Sequence, residues 1–183
     1  PEKEILSGFA EMLKHGLIAD KTYWKELICI KEVSQIIKPE LIKKSIDIKT
    51  TICNTDPYDT GERKKLNFGH TIGHALETFA LSLDYSLSHG EAIALGMVAE
   101  SHISWQKRLI HANDYLLITS VLHQFFSSFS IPESKYPIIF SSLEKDKKKI
   151  DDKLNFTLLN GIGSAVFDQQ VTPEEVICAL KQL

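Results

Sequence analysis

Residues 66–83, LNFGHTIGHALETFALSL, and residues 89–110, HGEAIALGMVAESHISWQKRLI, are the two most apolar periodic stretches of this 183-residue sequence. Each has a glycine beside a histidine near its start, and apolar residues then recur at helical spacing. A helix that is apolar over most of its surface is usually buried in the centre of a protein. The two stretches therefore predict a pair of central helices against which the rest of the chain packs.

Helical periodicity continues on the N-terminal side of this pair. Apolar residues at helical spacing predict three earlier helices, over residues 2–20, 21–37 and 39–54. Pro39 opens the third of them, because proline suits the first turn of a helix. Residues 54–65, NTDPYDTGERKK, combine Asn, Asp, Pro and Gly in a short span and predict a loop that we expect to be functional.

On the C-terminal side, residues 113–126 predict a further helix and residues 172–183 predict the last one. Thr172 and Glu175 have the spacing of a capping box at the start of that last helix. Residues 153–167, KLNFTLLNGIGSAVF, alternate apolar and polar side chains and contain Asn-Gly, a strong hairpin signal. The predicted fold class is mainly α, a multi-helix domain with a small β-hairpin near the C-terminus.

Length and composition favour one domain over residues 1–183, since 43% hydrophobic residues suffice for one core. The net charge is -3, so the overall field would repel nucleic acid or an anionic membrane. No apolar run reaches the roughly 18 to 20 residues that span a bilayer. Three cysteines without C-x-x-C spacing favour a reducing compartment. We therefore expect a cytoplasmic protein with neither nucleic-acid nor membrane partners.

Histidine and carboxylate side chains suited to zinc stand in three separate segments. They are Glu11 in SGFAEMLKHG, His70 and His74 in NFGHTIGH, and His89 in SHGEA. On a helix, His70, His74 and Glu77 share one face. Spacing alone leaves open a solvated or hydrogen-bonded histidine pair, which is the commoner case. The sequence lacks the H-E-x-x-H, Glu-x-x-His and His-Asp signatures of zincin proteases, di-iron bundles and His-Asp phosphohydrolases.

Cations near this segment point to a second kind of ligand, an anion. Residues 63–65, RKK, precede a predicted helix start at Gly69, where free N–H groups and the helix dipole favour phosphate or carboxylate. Lys14 lies three residues after Glu11, on the same helix face. A solvated surface is the alternative for these cations, and we predict a solvated loop for KDKKK at residues 145–149.

Four stretches in this order, SGFAEMLKHGLIAD, GERKKLNFGHTIGHALE, HGEAIALGM and DKK before a strand-like stretch ending GIG, resemble 3-dehydroquinate synthase, of the sugar-phosphate cyclase superfamily. The combined motifs make chance similarity improbable. The resemblance covers essentially the whole chain but only the C-terminal half of that enzyme. It implies a metal- and substrate-binding helical domain, with the N-terminal NAD-binding, Rossmann-like domain absent before Pro1. The start at Pro1 rather than Met agrees with a fragment of a longer protein.

The resemblance implies a role for each matched residue. Glu11, His70 and His89 match three ligands of zinc or cobalt. The catalytic positions are matched by Lys14, Asn67 and His74. Contacts to substrate hydroxyl, carboxylate and phosphate groups are matched by Lys49, Arg63, Asn67, His74 and, in DKK, Lys147 or Lys148.

Two residues depart from the pattern of the family. Asp59 stands where the family often has Glu, which keeps the charge but shortens the reach. His15 stands where Tyr is common, and we expect it to be a packing substitution rather than a further metal ligand.

The implied activity is conversion of a sugar-phosphate acid, 3-deoxy-D-arabino-heptulosonate 7-phosphate, to 3-dehydroquinate and phosphate in the shikimate pathway. The family enzyme is an NAD-dependent phosphorus–oxygen lyase, and we expect a homodimer in the full-length form. Because NAD would bind mainly to the missing domain, we expect no turnover by this chain alone. The alternatives are another sugar-phosphate cyclase, a metal-dependent polyol dehydrogenase and a non-catalytic helical interaction domain.

Overall fold

The computed structural model of the chain describes residues 1–83, 87–146 and 154–183. Its helices are α1 (Glu2–Ala19), α2 (Lys21–Leu27), α3 (Pro39–Thr55), α4 (His70–Leu81), α5 (His89–Gln106), α6 (Ala112–Phe125), α7 (Tyr136–Asp146) and α8 (Pro173–Leu180). Short 3-10 helices cover Val33–Gln35, Glu62–Asn67 and Glu133–Lys135. Strands β1 (Leu154–Leu159) and β2 (Ala165–Val171) pair antiparallel. The fold is mainly α with a hairpin near the C-terminus, as predicted.

Helices α4 and α5 pack closely at the centre, as their apolar sequences predicted. Gly73 of α4 lies against the backbone of Ala92 in α5, and a Cβ at Gly96 would overlap the carbonyl oxygen of Gly69. Residues with a side chain at these positions would force the helices apart, so glycine permits the close approach. The start of α4 therefore lies directly on α5.

Helix α1 packs on the first turn of α5. A Cβ at Gly90 would overlap the backbone of Ser7, and the Gly90 N–H donates to Ser7 Oγ at 3.3 Å. Phe9 and Leu13 of α1 are fully buried. Apolar side chains from all the named helices and both strands join these residues in one core.

The helix predicted over residues 21–37 is too long, since α2 ends at Leu27. The Gln35 side-chain oxygen accepts from the backbone N–H of Lys31 at 2.8 Å and satisfies a donor outside any helix. Ile36 is nevertheless buried. Apolar periodicity alone therefore did not show where the helix ends.

Helix α7 is absent from the prediction made above. Pro137 lies in its first turn, where the missing N–H costs no helical hydrogen bond. Ile139 and Leu143 lie four residues apart and are both buried. Because α7 runs to Asp146, the loop predicted over residues 145–149 is wrong for its first two residues; residues 147–149 lie outside the described residues.

The hairpin carries a longer connection than the Asn-Gly pair alone suggested. The Asn160 N–H donates to the Ser164 carbonyl at 2.9 Å, and Gly161 and Gly163 have φ angles of 83° and 88°. Glycine adopts this left-handed conformation without strain. The Gly163 N–H donates to the carbonyl of Leu17 at 2.8 Å, which fastens the hairpin tip to α1.

The last helix begins as predicted, because the side chain of Thr172 and that of Glu175 form a reciprocal capping box at α8. Within the described part of the chain, none of the helices is long and apolar enough to cross a membrane.

Candidate functional site

Three helices bring Glu11, His70 and His89 together. Glu11 lies on α1, while His70 and His89 are the first residues of α4 and α5. One ligand atom from each lies within 4.8 Å of the other two. His70 Nε2 is 3.8 Å from Glu11 Oε1, and the ring centroids of His70 and His89 are 5.7 Å apart. One carboxylate and two imidazoles at this spacing fit a divalent metal of the zinc type with positions left open.

The ring of His70 is oriented by its own backbone neighbourhood. Its Nδ1–H donates to the carbonyl of Phe68 at 3.2 Å, which leaves the Nε2 lone pair toward Glu11. Burial, together with the positive charge of Lys14, lowers the pKa of His70 to about 4. His70 is therefore neutral near pH 7, which is the form that binds a metal.

Glu100 was not found by the sequence analysis. It is fully buried on α5; its Oε2 accepts from the N–H of Gly69 at 2.6 Å and its Oε1 from the N–H of Ile72 at 3.1 Å. The expectation of free N–H groups at this helix start is therefore wrong for these two groups. A carboxylate within the apolar run GMVAESH was the available signal, because a buried charge requires partners.

His74 lies one turn after His70, exposed, with its ring centroid 5.3 Å from that of His70. The Nδ1–H of His89 donates to Glu77 Oε1 at 3.2 Å, a contact that would leave Nε2 of His89 for a metal. His74, Glu77 and His89 also offer ligand atoms within 4.8 Å of one another. The two donor sets share His89.

Lys14 is buried beside this cluster, 2% exposed, and its Nζ donates to both carboxylate oxygens of Glu11 at 2.9 Å. Burial lowers the pKa of Lys14 against the opposing attraction of Glu11. Burial also favours the neutral form of Glu11, but the Lys14 ammonium outweighs that effect and lowers the pKa of Glu11. A lysine with a lowered pKa is suited to proton transfer.

Two adjoining cavities open beside the cluster. The larger, of about 910 Å³, lies between the segment at residues 59–74 and the hairpin, and His70, His74 and Asn67 line it. The smaller, of about 210 Å³, is lined by Glu11, Lys14, Lys49, Arg63, Asn67 and His70 among others. Glu11 and His70 thus face the same space as the residues predicted for anion contacts, Lys49, Arg63, Asn67 and His74. His89 is not among the residues that line the two cavities, and Lys147 and Lys148 lie outside the described residues.

The loop predicted over residues 54–65 is confirmed for residues 56–61, while residues 54 and 55 are the last two of α3 and Glu62–Asn67 forms a 3-10 helix. Asp56 folds this loop: its carboxylate accepts from the backbone N–H groups of Thr60, Gly61 and Arg63 at 3.1, 2.7 and 3.1 Å. These bonds lower the pKa of Asp56 to about 2. Asp56 thereby sets the backbone position of Arg63.

The three cations of residues 63–65 have different surroundings. Lys64 pairs with Asp168 of β2 at 2.7 Å, and Lys65 pairs with Glu62 at 2.6 Å. Arg63 Nη1 donates to the carbonyl of Pro57 at 3.3 Å and lines the smaller cavity. Of the three, Arg63 therefore keeps most of its donors for a ligand.

Asp59 lines both cavities and has a φ angle of 56°. This left-handed conformation is unusual for a residue other than glycine, although Asp tolerates it better than most residues. Asp59 therefore holds its place at some cost in backbone strain.

His15 lies outside both donor sets. It is 3% exposed, and its Nδ1 is 2.7 Å from Ser45 Oγ on α3. Burial and the charge of Lys14 lower the pKa of His15 to about 4. These contacts join α1 to α3 and agree with a packing role.

The hairpin holds the cation-bearing segment from the other side. Thr157 of β1 donates through its Oγ1 to the carbonyl of Lys64 at 2.8 Å, and the Lys64–Asp168 ion pair adds a second connection. The cleft therefore has walls from both the helices and the hairpin.

Comparison with known proteins places this chain in a family. A family model described as 3-dehydroquinate synthase C-terminal matches residues 8–149. A 3-dehydroquinate synthase of Parabacteroides distasonis is 32% identical over 178 residues, which are 96% of this chain and 50% of that protein. The enzyme of Chlorobium chlorochromatii is 35% identical over 193 residues, covering 99% of this chain and 52% of the relative. The chain thus spans about half the length of these curated relatives.

Solved structures of sugar-phosphate cyclases share the fold. A 2-epi-5-epi-valiolone synthase from Streptomyces hygroscopicus with NAD+ and Zn2+ bound superposes with a TM-score of 0.84 at 23% identity, covering 99% of this chain and 51% of that one. A 2-deoxy-scyllo-inosose synthase complexed with carbaglucose-6-phosphate, NAD+ and Co2+ gives 0.78 at 24% identity, covering 100% and 53%. With the family match over residues 8–149, these findings show that the chain belongs to the 3-dehydroquinate synthase C-terminal family.

Proposed function

We propose that this chain is the metal- and substrate-binding part of a 3-dehydroquinate synthase, which forms 3-dehydroquinate and phosphate from 3-deoxy-D-arabino-heptulosonate 7-phosphate. The observation that carries the proposal is that Glu11, His70 and His89 cluster beside a pocket lined by cations. A divalent metal and an acidic phosphate substrate need these two kinds of group side by side.

In the complete protein we propose NAD-dependent turnover. NAD would be bound mainly by a region that corresponds to the half of the curated relatives that this chain does not span. We further propose that residues 1–183 are one domain and that the complete protein is a cytoplasmic homodimer. The single core shared by the described helices and strands supports the first of these points.

Glu11, His70 and His89 would hold zinc or cobalt. A divalent ion bound there would polarise hydroxyl and carbonyl oxygens of the substrate and ease loss of a hydroxyl proton. The chain itself orients the two imidazoles, through the Phe68 carbonyl for His70 and the Glu77 carboxylate for His89. Fixed outer contacts of this kind set the tautomer of a ligand histidine.

Arg63 and Lys49 would bind the substrate carboxylate from the smaller cavity. The planar guanidinium of Arg63 matches a carboxylate with two parallel N–H groups, and Lys49 adds a second positive charge from α3. Asn67 and His74 face the larger cavity, where both would donate to phosphate oxygens. Lys147 or Lys148 stays a further predicted phosphate contact.

Lys14 would assist proton transfer at a substrate hydroxyl. Its Nζ lies at the carboxylate of Glu11 and lines the cavity, while the side chain is excluded from bulk water. Burial lowers the pKa of Lys14, which brings its proton affinity closer to that needed for exchange near neutral pH.

The test of the metal site is a zinc titration by calorimetry with elemental analysis of the 183-residue chain. We expect one zinc per chain, greatly weakened in His70→Ala and His89→Ala. His123→Ala is the matched control, because His123 is an exposed histidine on α6 outside both donor sets. A wild-type chain that binds no zinc would contradict the proposal and favour the non-catalytic interaction domain.

The test of the reaction uses the zinc-loaded chain with NAD and the heptulosonate phosphate. We expect no 3-dehydroquinate from the chain alone, and formation of it when the complementary half of a curated relative is added. Product formed by the isolated chain would contradict the assignment of NAD binding to the other half.

A sister sugar-phosphate cyclase is the second candidate, supported by the two cyclase structures that share the fold. Arg63 and Lys49 in one pocket favour a substrate with a carboxylate. Calorimetry with the heptulosonate phosphate and with glucose 6-phosphate, which lacks a carboxylate, separates the two. Tighter binding of glucose 6-phosphate would favour the sister cyclase. The same cations disfavour a polyol dehydrogenase, whose substrates are neutral.

A further inference from the structure

Helix α4 begins without a cap from its own segment. Its N-cap residue is Gly69, with φ 82°, and it offers no side-chain oxygen. Helices α2, α5 and α8 begin instead with Asp20, Ser88 and Thr172, whose side chains accept from their own first turns. The first N–H groups of a helix have no partner within the helix and need one from elsewhere. For α4 that partner comes from another helix.

The partner is Glu100 of α5, 31 residues after Gly69 in the sequence. Its side chain is fully buried, and its carboxylate oxygens accept from the backbone N–H groups of Gly69 at 2.6 Å and Ile72 at 3.1 Å. An isolated charge in the interior is costly, so a carboxylate is tolerated there because it meets donors and the positive end of a helix dipole.

We infer that Glu100 is a positioning residue for the candidate metal site, holding the first turn of α4, and with it His70, in place before a metal binds. The inference rests on the proposed function, in which Glu11, His70 and His89 hold the ion. His70 lies between the two residues whose N–H groups Glu100 binds, so its backbone is fixed from both sides.

Helix α5 then supports two of the three proposed ligands. His89 is its first residue, and Glu100 lies eleven positions further along the same helix, about 16 Å at 1.5 Å per residue. Gly96, one turn before Glu100, allows the carbonyl of Gly69 to lie against the helix. The distance between His70 and His89 is thereby set by one rigid element.

Preorganised ligands bind a metal more tightly, because ordering them at the moment of binding costs free energy. Substitution of a residue that positions a metal ligand typically changes metal affinity by about tenfold to a hundredfold. Glu100 acts through the backbone rather than on the imidazole, so we expect about tenfold.

Glu100→Gln is the test variant, because it keeps the size of the side chain but turns one acceptor into a donor. The new NH2 group would face one of the two backbone N–H groups. Glu175→Gln is the matched control: Glu175 also accepts a backbone N–H at a helix start, that of Thr172 at 2.8 Å, but at α8 and outside both donor sets. The measurements are zinc affinity by chelator competition and the visible absorption spectrum of the Co2+ form.

We expect Glu100→Gln to weaken zinc about tenfold and to alter the Co2+ spectrum, while Glu175→Gln changes neither. Wild-type affinity and spectrum in Glu100→Gln would overturn the role of Glu100 and leave the metal site standing. A wild-type chain that binds no zinc would overturn the metal site itself.

Hydrogen exchange of the wild-type chain tests the same inference without a variant. We expect the amides of Gly69 and Ile72 to be protected in the zinc-free protein, since Glu100 already holds them. Protection that arises only after zinc is added would overturn the inference, and this result is available even if Glu100→Gln does not fold.

Discussion

Helices α4 and α5 both begin with a histidine of the candidate metal site, but their first turns are held in different ways. At α5, Ser88 and Glu91 form a reciprocal capping box beside His89. At α4, the cap beside His70 comes from Glu100, far along the chain. A local cap forms with its helix, whereas a distant cap exists only after the two helices have packed. The cap beside His70 therefore depends on tertiary structure, whereas the cap beside His89 is local to its own helix start.

The largest effect should come from removing a histidine itself. We expect His70→Ala and His89→Ala each to weaken zinc binding by roughly a hundredfold or more, because a site with three protein ligands loses a large share of its binding free energy with each one. Zinc competition assays measure the change. Equal affinity in either variant and the wild-type chain would show that the histidine concerned is not a ligand.

Removing the distant cap should have the next largest effect. Glu100→Ala leaves two buried N–H groups without an acceptor, at about 1–3 kcal/mol each, so we expect a loss of about 2–6 kcal/mol in the free energy of unfolding. Urea unfolding measures it, with Glu175→Ala as the control at a half-buried cap. A loss no larger than that of the control would mean that the α4 cap is replaceable.

Removing the local cap should cost less. Ser88→Ala takes away the side chain that accepts from Glu91 N–H at 3.3 Å, and N-cap losses of this kind typically cost about 1 kcal/mol. Urea unfolding of Ser88→Ala and Glu100→Ala in the same buffer gives the comparison directly. If Ser88→Ala proved the more destabilising, the contrast drawn between the two helix starts would be wrong.

The smallest expected effect is confined to acid pH and concerns the titration of Asp56 in its loop. The pKa of Asp56 is lowered to about 2 in the folded chain, from an ordinary value of 3.8. Because the folded pKa is the lower one, the contribution to stability is complete above about pH 4 and is lost as the pH falls toward 2.

Asp56→Asn should therefore remove part of the acid sensitivity of the urea midpoint between about pH 4 and pH 2. Asp47→Asn is the control, because Asp47 is an exposed aspartate paired with Lys43 on the surface of α3. Parallel pH profiles for Asp56→Asn and the wild-type chain would count against the capping role of Asp56.

The accuracy of the sequence-based prediction follows the same division between local and distant contacts. The capping box at α8 was predicted because Thr172, Pro173 and Glu175 are close in sequence. The end of α2 was missed because no Gly or Pro follows Leu27 to mark it. The Gln35 side chain instead accepts from the backbone N–H of Lys31, outside the helix. Helix α7 was missed because Pro132 and Pro137, on either side of its start, are more typical of a loop than of a helix.

The candidate site divides in a similar way. The types of Glu11, His70 and His89 indicated metal chemistry, and the resemblance to a family proposed their grouping. The structure was needed to show that their ligand atoms lie within 4.8 Å of one another. Two of the three cations at residues 63–65 turned out to be engaged in ion pairs, with Glu62 and with Asp168 of the hairpin. The second of these partners is more than 100 residues away in sequence.

Local sequence patterns were enough to predict the two apolar central helices, the hairpin, and the residue types able to bind a metal and an anion. Periodicity, caps and turn residues act over a few positions, so they can be recognised in the sequence alone. The contact of Glu100 with the start of α4, and the clustering of Glu11, His70 and His89, depend on how the helices pack. These contacts arise from the packing of α1, α4 and α5. The helices approach closely at Gly90 and Gly96, and the conformational preferences of neighbouring residues do not predict such an approach.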